Sequence, residues 1–256
     1  MKDPQVIFED DSVLVINKPA GLIVHSDGRT TEPSVAEWVL AHYPVMKDVG
    51  ELWVSPQGEA VARPGIVHRL DRTTSGVMIL AKTTGAYAAL KSEFQSRTVG
   101  KEYRAYVYGH PREDNGTIEA EIVRLRSTPP RWGVKRTGEE KKHRAAVTAW
   151  RILKRGVAPY SDVGHPNMTG EVSYMALSPK TGRTHQLRVH LKHLGYPIVC
   201  DPLYAKDKPC LLGFSRPALH AFQLSITLPS GKLETFKAPL PDDFLLAERI
   251  FEDRVA

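Results

Sequence analysis

The sequence has few cysteines and no long apolar run, and these two shortages exclude several classes of protein. Only Cys200 and Cys210 occur in 256 residues, too few for a disulfide framework, so we expect both to be reduced and packed in the fold. No run of 18 or more apolar residues occurs, and the first residues lack the apolar stretch of a signal peptide. We therefore expect a cytoplasmic protein that does not bind a membrane.

Motifs that hold nucleotide cofactors or structural metals are also absent. Neither G-x-G-x-x-G nor G-x-x-x-x-G-K-[ST] occurs, so no segment predicts a nucleotide cofactor. His190 and His193 precede the two cysteines in the chain, but the spacing of these four residues fits no standard zinc site. We therefore expect neither a nucleotide cofactor nor a structural zinc ion.

The composition is that of a folded, basic protein whose positive charge is concentrated in one segment. The chain is 41% hydrophobic and 25% charged, with a net charge of +6, and its length fits one large domain or two small ones. Eleven lysines and arginines lie between Arg124 and Arg155, against two glutamates. This basic segment predicts binding to a polyanion such as nucleic acid, and a solvated basic hairpin is the alternative.

Apolar periodicity predicts more strands than helices. Strand-like patterns occupy residues 6–8, 13–16, 77–81, 102–109, 145–153, 171–177, 219–228 and 233–236. Helices are predicted after Ser34, after Thr83 or Thr84, over residues 187–194, and after Pro241. Because short turns join most of the strands, the pattern favours an α+β fold with an antiparallel or mixed sheet.

Two dense polar segments stand out as candidate sites. Residues 65–76 read Gly-Ile-Val-His-Arg-Leu-Asp-Arg-Thr-Thr-Ser-Gly and lead directly into an apolar strand. Residues 181–191 read Thr-Gly-Arg-Thr-His-Gln-Leu-Arg-Val-His-Leu. From residue types alone, a solvated loop remains the alternative for the first segment, because loops are polar by default.

These segments resemble the motifs of the RluA-type pseudouridine synthases, which isomerise uridine in RNA to its C-glycoside. Residues 68–76 resemble the signature H-R-L-D-x-x-T-S-G, and residues 182–191 resemble the helix motif G-R-T-H-Q-L-R-V-H-L. Further resemblances lie at residues 17–25, 101–105, 201–204 and 216–221. The motifs occur in the family's order and cover nearly the whole chain.

The resemblance implies one pseudouridine synthase catalytic domain over residues 1–256, without the N-terminal S4 domain that many members carry. This fold has a central, mainly antiparallel mixed sheet flanked by helices and loops, an RNA-binding cleft and no cofactor. RNA is the implied partner, ribosomal RNA rather than tRNA on family frequency. We expect a monomer that recognises RNA through the catalytic domain itself.

The resemblance assigns catalysis to three residues. Asp71 is the nucleophile, Arg188 is the cation that keeps the Asp71 carboxylate ionised, and Tyr103 abuts the uracil and is the candidate proton acceptor. Whether such a nucleophile attacks the uracil ring or the ribose stays open. A catalytically inactive RNA-binding or RNA-chaperone protein is the alternative, and it predicts a change at one of these positions, all of which match the family.

The resemblance also implies residues that contact RNA or shape its site. Arg69 resembles the arginine that enters the RNA stack when the target nucleotide is extruded. The other members of this group are His68, Thr74, Arg183, His185 and Leu187. A structural role is an equal alternative for His68, and a place in the helix core is one for Leu187. The hydroxyl of Thr74 is expected to help to hold the Asp71 loop.

Overall fold

The computed structural model describes residues 2–26, 32–54, 58, 60–125, 127, 130–135, 143–159 and 169–253. Within them, the α-helices are α1 (Val35–His42), α2 (Thr84–Ser96), α3 (Gln186–His193) and α4 (Asp242–Ile250). The strands are β1 (Gln5–Glu9), β2 (Val13–Lys18), β3 (Trp53–Val54), β4 (Ala60–Val61), β5 (Ser75–Ala81), β6 (Gly100–Tyr108), β7 (Asn115–Glu119), β8 (Ile122–Leu125), β9 (Arg131–Val134), β10 (His143–Arg144), β11 (Val147–Pro159), β12 (Thr169–Pro179), β13 (Leu219–Thr227), β14 (Leu233–Lys237) and β15 (Glu252–Asp253). The predicted α+β class is confirmed. None of the helices in these ranges has the length and hydropathy needed to span a bilayer.

The chain divides into two compact units. The first comprises Met1–Lys101 and Ala221–Pro239, and the second comprises Glu102–His220 and Leu240–Ala256. In the first unit, β1 pairs with β2 and β2 with β5, both antiparallel, and β13 forms an antiparallel hairpin with β14. The predicted hairpins at the N-terminus and around Pro229 are therefore confirmed.

Strands β2 and β5 form the centre of the first unit because their apolar side chains are buried on both faces. Residues 13–16 are 0% exposed, and every residue of β5 is buried. At the start of β5, Gly76 has φ +122°, and a Cβ atom there would lie 2.1 Å from the carbonyl oxygen of Ala221. Only glycine fits at this position. The polar segment before β5 therefore ends on a fixed, buried strand.

The helix starts predicted from capping residues are confirmed. The Ser34 hydroxyl accepts a hydrogen bond from the Glu37 amide (3.2 Å), and the Glu37 carboxylate accepts one from the Ser34 amide (2.9 Å). Thr83 caps α2 by accepting a hydrogen bond from the Ala86 amide (3.1 Å). These side chains supply acceptors for amides of the first turn, which have no partner within the helix. Such capping depends on neighbours in sequence, so the sequence suffices to locate it.

The second unit is built on the long antiparallel pair β11 and β12. Strand β6 pairs with β12, while β7 and β15 pair with β11, all antiparallel. Tyr106 of β6 is 0% exposed, as are Ala105 and Val107 on the opposite face. The strand is thus covered on both faces. The alternation of its side chains between the two faces therefore does not distinguish core residues from solvent-exposed ones.

The basic segment, predicted to be an extended hairpin or loop, contains a small sheet of its own. In the described part of the segment, β8 pairs antiparallel with both β9 and β10. Four of its cations lie outside the described residues: Arg126, Arg136, Lys141 and Lys142.

The expectation that the two cysteines are reduced is wrong. Cys200 and Cys210 form a disulfide, with their Cα atoms 4.5 Å apart. The two ends of this loop meet at Tyr108, whose hydroxyl accepts a hydrogen bond from the Cys200 amide (3.0 Å) and donates one to the Pro209 carbonyl (2.5 Å). Two cysteines are too few for a framework but suffice for one bond, and only the folded loop shows that they meet.

Candidate active site

Asp71 lies on the loop between β4 and β5, which backbone hydrogen bonds hold in place. The Asp71 carbonyl accepts a hydrogen bond from the Thr74 amide (3.1 Å), and the Arg72 carbonyl accepts one from the Gly21 amide (2.9 Å). Thr74 is only 3% exposed, so its position supports a role in holding the loop. Asp71 itself is partly exposed. Its carboxylate is therefore presented from a loop with little freedom to rearrange.

Lys18 fastens this loop to the segment of residues 17–25. Its side chain is 0% exposed, and its ammonium group donates hydrogen bonds to the carbonyls of Pro19 (2.8 Å), Leu22 (2.8 Å) and Arg72 (3.2 Å). Three carbonyl acceptors offset the cost of burying the charge. The sequence does not predict this role, because a lysine at the end of a strand is normally solvated. The only signal is its place in a family motif.

His68 and its neighbour Arg69 occupy opposite environments. The Nε2 atom of His68 accepts a hydrogen bond from the Ile79 amide (3.1 Å), and its ring stacks on Phe94 with centroids 4.5 Å apart. Burial, together with repulsion from Lys101, lowers the pKa of His68 to about 3. Because Nε2 is an acceptor, the neutral ring carries its proton on Nδ1. These contacts favour the structural alternative for His68, whereas Arg69 is exposed.

Arg188 is buried in the second unit with a carboxylate that the sequence does not identify as its partner. The guanidinium donates to Asp201 through Nε (2.7 Å to Oδ2) and Nη2 (2.8 Å to Oδ1), and the two side chains are 5% and 0% exposed. Oδ1 of Asp201 also accepts hydrogen bonds from the amides of Leu203 (3.0 Å) and Tyr204 (3.1 Å). Asp201 therefore fixes the plane of the Arg188 guanidinium.

Tyr204 connects Arg188 to the basic segment. The Arg188 guanidinium carbon lies 5.0 Å from the centroid of the Tyr204 ring. The Tyr204 hydroxyl accepts a hydrogen bond from the Trp132 amide (3.1 Å) and lies 3.0 Å from Nδ1 of His185. Trp132 also meets the His185 ring edge to face, with centroids 4.8 Å apart. Tyr204, which belongs to the motif at residues 201–204, is thus a shared contact of α3 and β9.

The start of α3 is held by Gln186. Its amide group donates hydrogen bonds to the Val147 carbonyl and to the Thr148 hydroxyl (both 3.0 Å), and its oxygen accepts one from the Arg183 amide (3.0 Å). The Arg183 side chain donates through Nε to the Ala145 carbonyl (3.2 Å). This network ties α3 to the start of β11.

No set of three or more His, Cys, Asp or Glu side chains is arranged as a metal site in the part of the chain that the structure describes. His190 was considered as a zinc ligand from the sequence. In the structure its Nδ1 atom lies 2.9 Å from the Thr148 hydroxyl. The sulfurs of Cys200 and Cys210 are joined to each other. These residues therefore serve the fold of the second unit.

Tyr103 and Leu187 belong to one apolar cluster of the second unit. Leu187 is 6% exposed within the core, and the partly buried Tyr103 packs against the same core. Tyr103 lies on β6 opposite Leu177 of β12. The structure thus places Leu187 in the helix core, as its alternative interpretation predicts, and places Tyr103 at the edge of that core.

The five described arginines of the basic segment fall into two groups, and Lys135 is paired with Glu121 (3.1 Å). Arg151 pairs with Glu102 (3.5 Å), and Arg155 pairs with Asp114 (2.6 Å); we call these two the paired arginines. A second group has no acidic partner among the described residues, and we call it the open basic surface: Arg124, Arg131 and Arg144. The number of basic residues in the sequence therefore overstates the charge that is available to a polyanion.

Comparison with known proteins shows the family. The model of the RNA pseudouridylate synthase family matches residues 12–193, a range that contains the Asp71 loop, Tyr103 and Arg188. The chain belongs to the RNA pseudouridylate synthase family. The predicted membership is thereby confirmed.

Relatives are similar over most of this chain. An uncharacterized RNA pseudouridine synthase from Synechocystis sp. is 37% identical over 240 residues, which are 93% of this chain and 66% of that protein. Ribosomal large subunit pseudouridine synthase D from Neisseria meningitidis is 37% identical over 249 residues, covering 93% of this chain and 58% of that protein. The chain thus spans about three fifths to two thirds of the length of these relatives.

A solved structure shows the same fold. Human RNA pseudouridylate synthase domain containing 4 aligns with a TM-score of 0.67 and 23% sequence identity, covering 95% of this chain and 91% of that one. The predicted pseudouridine synthase fold is confirmed by this likeness. At this identity it carries the fold alone.

Proposed function

We propose that this protein is an RNA pseudouridine synthase, an isomerase that converts uridine in RNA to pseudouridine. The observation that carries the proposal is the family match over residues 12–193, within which Asp71, Tyr103 and Arg188 all stand at their motif positions. The rigid loop that presents Asp71 and the buried pair that orients Arg188 add physical support. A catalytic group works best when its surroundings fix its geometry.

The reaction rearranges bonds within one nucleotide. The N1–C1′ glycosidic bond breaks, the uracil turns in the site, and a C5–C1′ bond forms in its place. A proton leaves C5 and N1 carries one in the product, so atoms and electrons balance without a redox partner. Asp71 is the proposed nucleophile, because an ionised carboxylate can form a covalent bond in the first step and leave in the last.

Arg188 and Tyr103 are proposed to act in the same reaction as that nucleophile, as the family motifs assign them. A guanidinium keeps a carboxylate ionised in a partly desolvated site, and the fork to Asp201 together with the Tyr204 ring holds the guanidinium in one orientation. Tyr103 is proposed to abut the uracil and to receive the C5 proton directly or through water. A phenol has an ordinary pKa of about 10, so transfer through water is the less demanding route at neutral pH. The family motifs assign these residues to one reaction.

RNA recognition is proposed to use the exposed cations. Arg69 would fill the stack when the target nucleotide is extruded, which offsets part of the unstacking cost. The open basic surface would neutralise backbone phosphates. We propose ribosomal RNA as the substrate, since the Neisseria relative is named for the large ribosomal subunit. We also propose that residues 1–256 act as one catalytic domain. We propose that the protein is a monomer, and the molar mass from light scattering tests this.

The test is pseudouridine formation by the Asp71→Asn variant. Purified protein is incubated with large-subunit ribosomal RNA or with tRNA transcripts, and pseudouridine is located by carbodiimide labelling and primer extension. We expect the wild type to modify ribosomal RNA, and Asp71→Asn to lose about a thousandfold or more in rate while still binding RNA. The matched control Asp207→Asn alters a carboxylate that is 87% exposed and should keep the wild-type rate.

Three outcomes would contradict parts of the proposal. Turnover by Asp71→Asn would refute the nucleophile, and modification of tRNA alone would refute the ribosomal substrate. RNA binding by the wild type without pseudouridine formation on either RNA would favour the inactive RNA-binding protein.

A further inference from the structure

Arg63, in the first unit, has a buried hydrogen-bond donor with no acceptor among the described residues. Arg63 stands at the start of the segment that leads to Asp71. Its Nε atom is buried without a hydrogen-bond partner, and its guanidinium carbon lies 4.5 Å from the centroid of the Trp53 ring. A buried donor without an acceptor destabilises the fold, and more so when it is charged. Such a group calls for an acceptor from outside the described fold.

The backbone around Arg63 is fixed. The Ile66 amide donates to the Arg63 carbonyl (3.2 Å), and the Gly65 amide donates to the Val49 carbonyl (2.8 Å). Gly65 has φ +65°, and a Cβ atom there would lie 2.1 Å from the Ala81 carbonyl oxygen. The Trp53 platform is set by β3 and β4, which pair Trp53 with Val61, two residues before Arg63. The fold therefore specifies the position of this guanidinium.

A like charge adds to the cost of the arrangement. Burial, and next the charge of Arg69, lower the pKa of Arg63. Glu51, the carboxylate that acts on the neighbouring Tyr87, forms an ion pair with Lys91. Neither Arg63 nor Arg69 has an acidic partner among the described residues. Two cations held in this way are unfavourable in the free protein, and an anion that binds both would offset the cost.

We propose that Arg63, supported on the Trp53 ring, binds a backbone phosphate of the RNA next to the nucleotide that Arg69 displaces. The planar guanidinium offers parallel N–H donors that match two phosphate oxygens, while the aromatic face limits its rotation. The inference rests on the proposed function, because it takes RNA as the ligand. It adds to that function a residue that positions the RNA beside the Asp71 loop.

The test compares Arg63→Gln with Arg155→Gln, a control in which the arginine is satisfied by Asp114 and by the carbonyls of Pro111 and Glu113. Thermal melting of the free proteins and binding to a synthetic RNA hairpin with one loop uridine are measured over a range of salt concentrations. Arg63→Gln should melt at or above the wild-type temperature, because it removes an uncompensated charge. It should also bind RNA about tenfold more weakly, with the slope of log K against log salt reduced by about 1.

Arg155→Gln should give the reverse pattern, with a lower melting temperature and an unchanged salt slope. An unchanged affinity and slope in Arg63→Gln would overturn the proposed phosphate contact. A loss of stability equal to that of Arg155→Gln would overturn it as well, because Arg63 would then have a structural partner. If the wild type forms no pseudouridine but Arg63→Gln still loses one unit of slope, the proposed function fails and the phosphate site stands.

Discussion

Replacing Asp201 with asparagine tests whether this carboxylate holds Arg188. The Asp201 Oδ1 atom accepts three of the four hydrogen bonds that its carboxylate receives, so the amide oxygen of asparagine should take its place. The amide NH₂ would then face Nε of Arg188, where Oδ2 now accepts at 2.7 Å. One charge-assisted bond becomes a donor–donor contact, and the negative charge is lost from a side chain that is 0% exposed. Breaking a buried pair in this way costs about 3 kcal/mol.

The matched control is Asp243→Asn in the same unit. Arg216 donates to Asp243 through Nε (2.7 Å) and Nη2 (3.0 Å), the same forked geometry. The side chains of this control pair are 13% and 26% exposed, whereas those of Arg188 and Asp201 are 5% and 0% exposed. Because solvent screens the control pair, we expect Asp243→Asn to cost about 1 kcal/mol.

Calorimetry and steady-state kinetics measure the two consequences. At about 2–4 °C of melting temperature per kcal/mol, Asp201→Asn should melt about 10 °C below the wild type, and Asp243→Asn about 3 °C below it. Below its melting transition, Asp201→Asn should lower kcat while KM stays near the wild-type value, since the oriented guanidinium of Arg188 is proposed to act on the reacting groups. Equal losses of stability in the two variants, or an unchanged kcat in Asp201→Asn, would refute the proposed role of Asp201.

The pKa of His68 is lowered to about 3, so between about pH 6.5 and pH 3 the unfolded chain binds a proton at this residue that the folded chain does not. As the pH decreases through this range, the free energy of unfolding should decrease by up to about 1.4 kcal/mol per pH unit. Urea titrations at several pH values should show that His68→Gln removes this contribution. Gly76→Ala should cost about 3 kcal/mol or prevent folding, whereas Gly182→Ala, where nothing lies within 4 Å of the added carbon, should leave the melting temperature unchanged. Glutamine at all positions of the open basic surface should reduce the salt slope of RNA binding by about 2–3, while the same change at the paired arginines should leave it unchanged.

Local features were predictable where the partners are near in sequence. The capping box at Ser34, the helix start at Thr83 and the hairpin of β1 and β2 are visible in the chain, as is the segment leading to Asp71. Their hydrogen bonds and periodicity involve close neighbours. The two faces of β6 are not distinguishable in this way. Its alternating pattern places Tyr106 opposite Ala105, yet both are buried, since elements distant in sequence cover both sides.

Partners of charged residues were not predictable. The sequence shows Lys18, Arg188 and Asp201 as motif residues, but not that Lys18 lies under the Asp71 loop or that Asp201 holds Arg188. Charge counts also treat every cation alike, whereas Arg155 is bound to Asp114, 41 residues away in the chain. Such pairs form between residues that only the folded chain brings together.

The sequence by itself determined the family, the α+β class and the segments to which the family motifs assign the chemistry, because these depend on motif residues and on short-range periodicity. Only the tertiary structure decided which of those residues hold the site and which face solvent. It joined the two cysteines, satisfied His68 inside the fold, and left Arg63 with a buried donor and no described partner. The reason is physical: burial, pairing and desolvation are properties of three-dimensional surroundings, and residues far apart in the chain supply them.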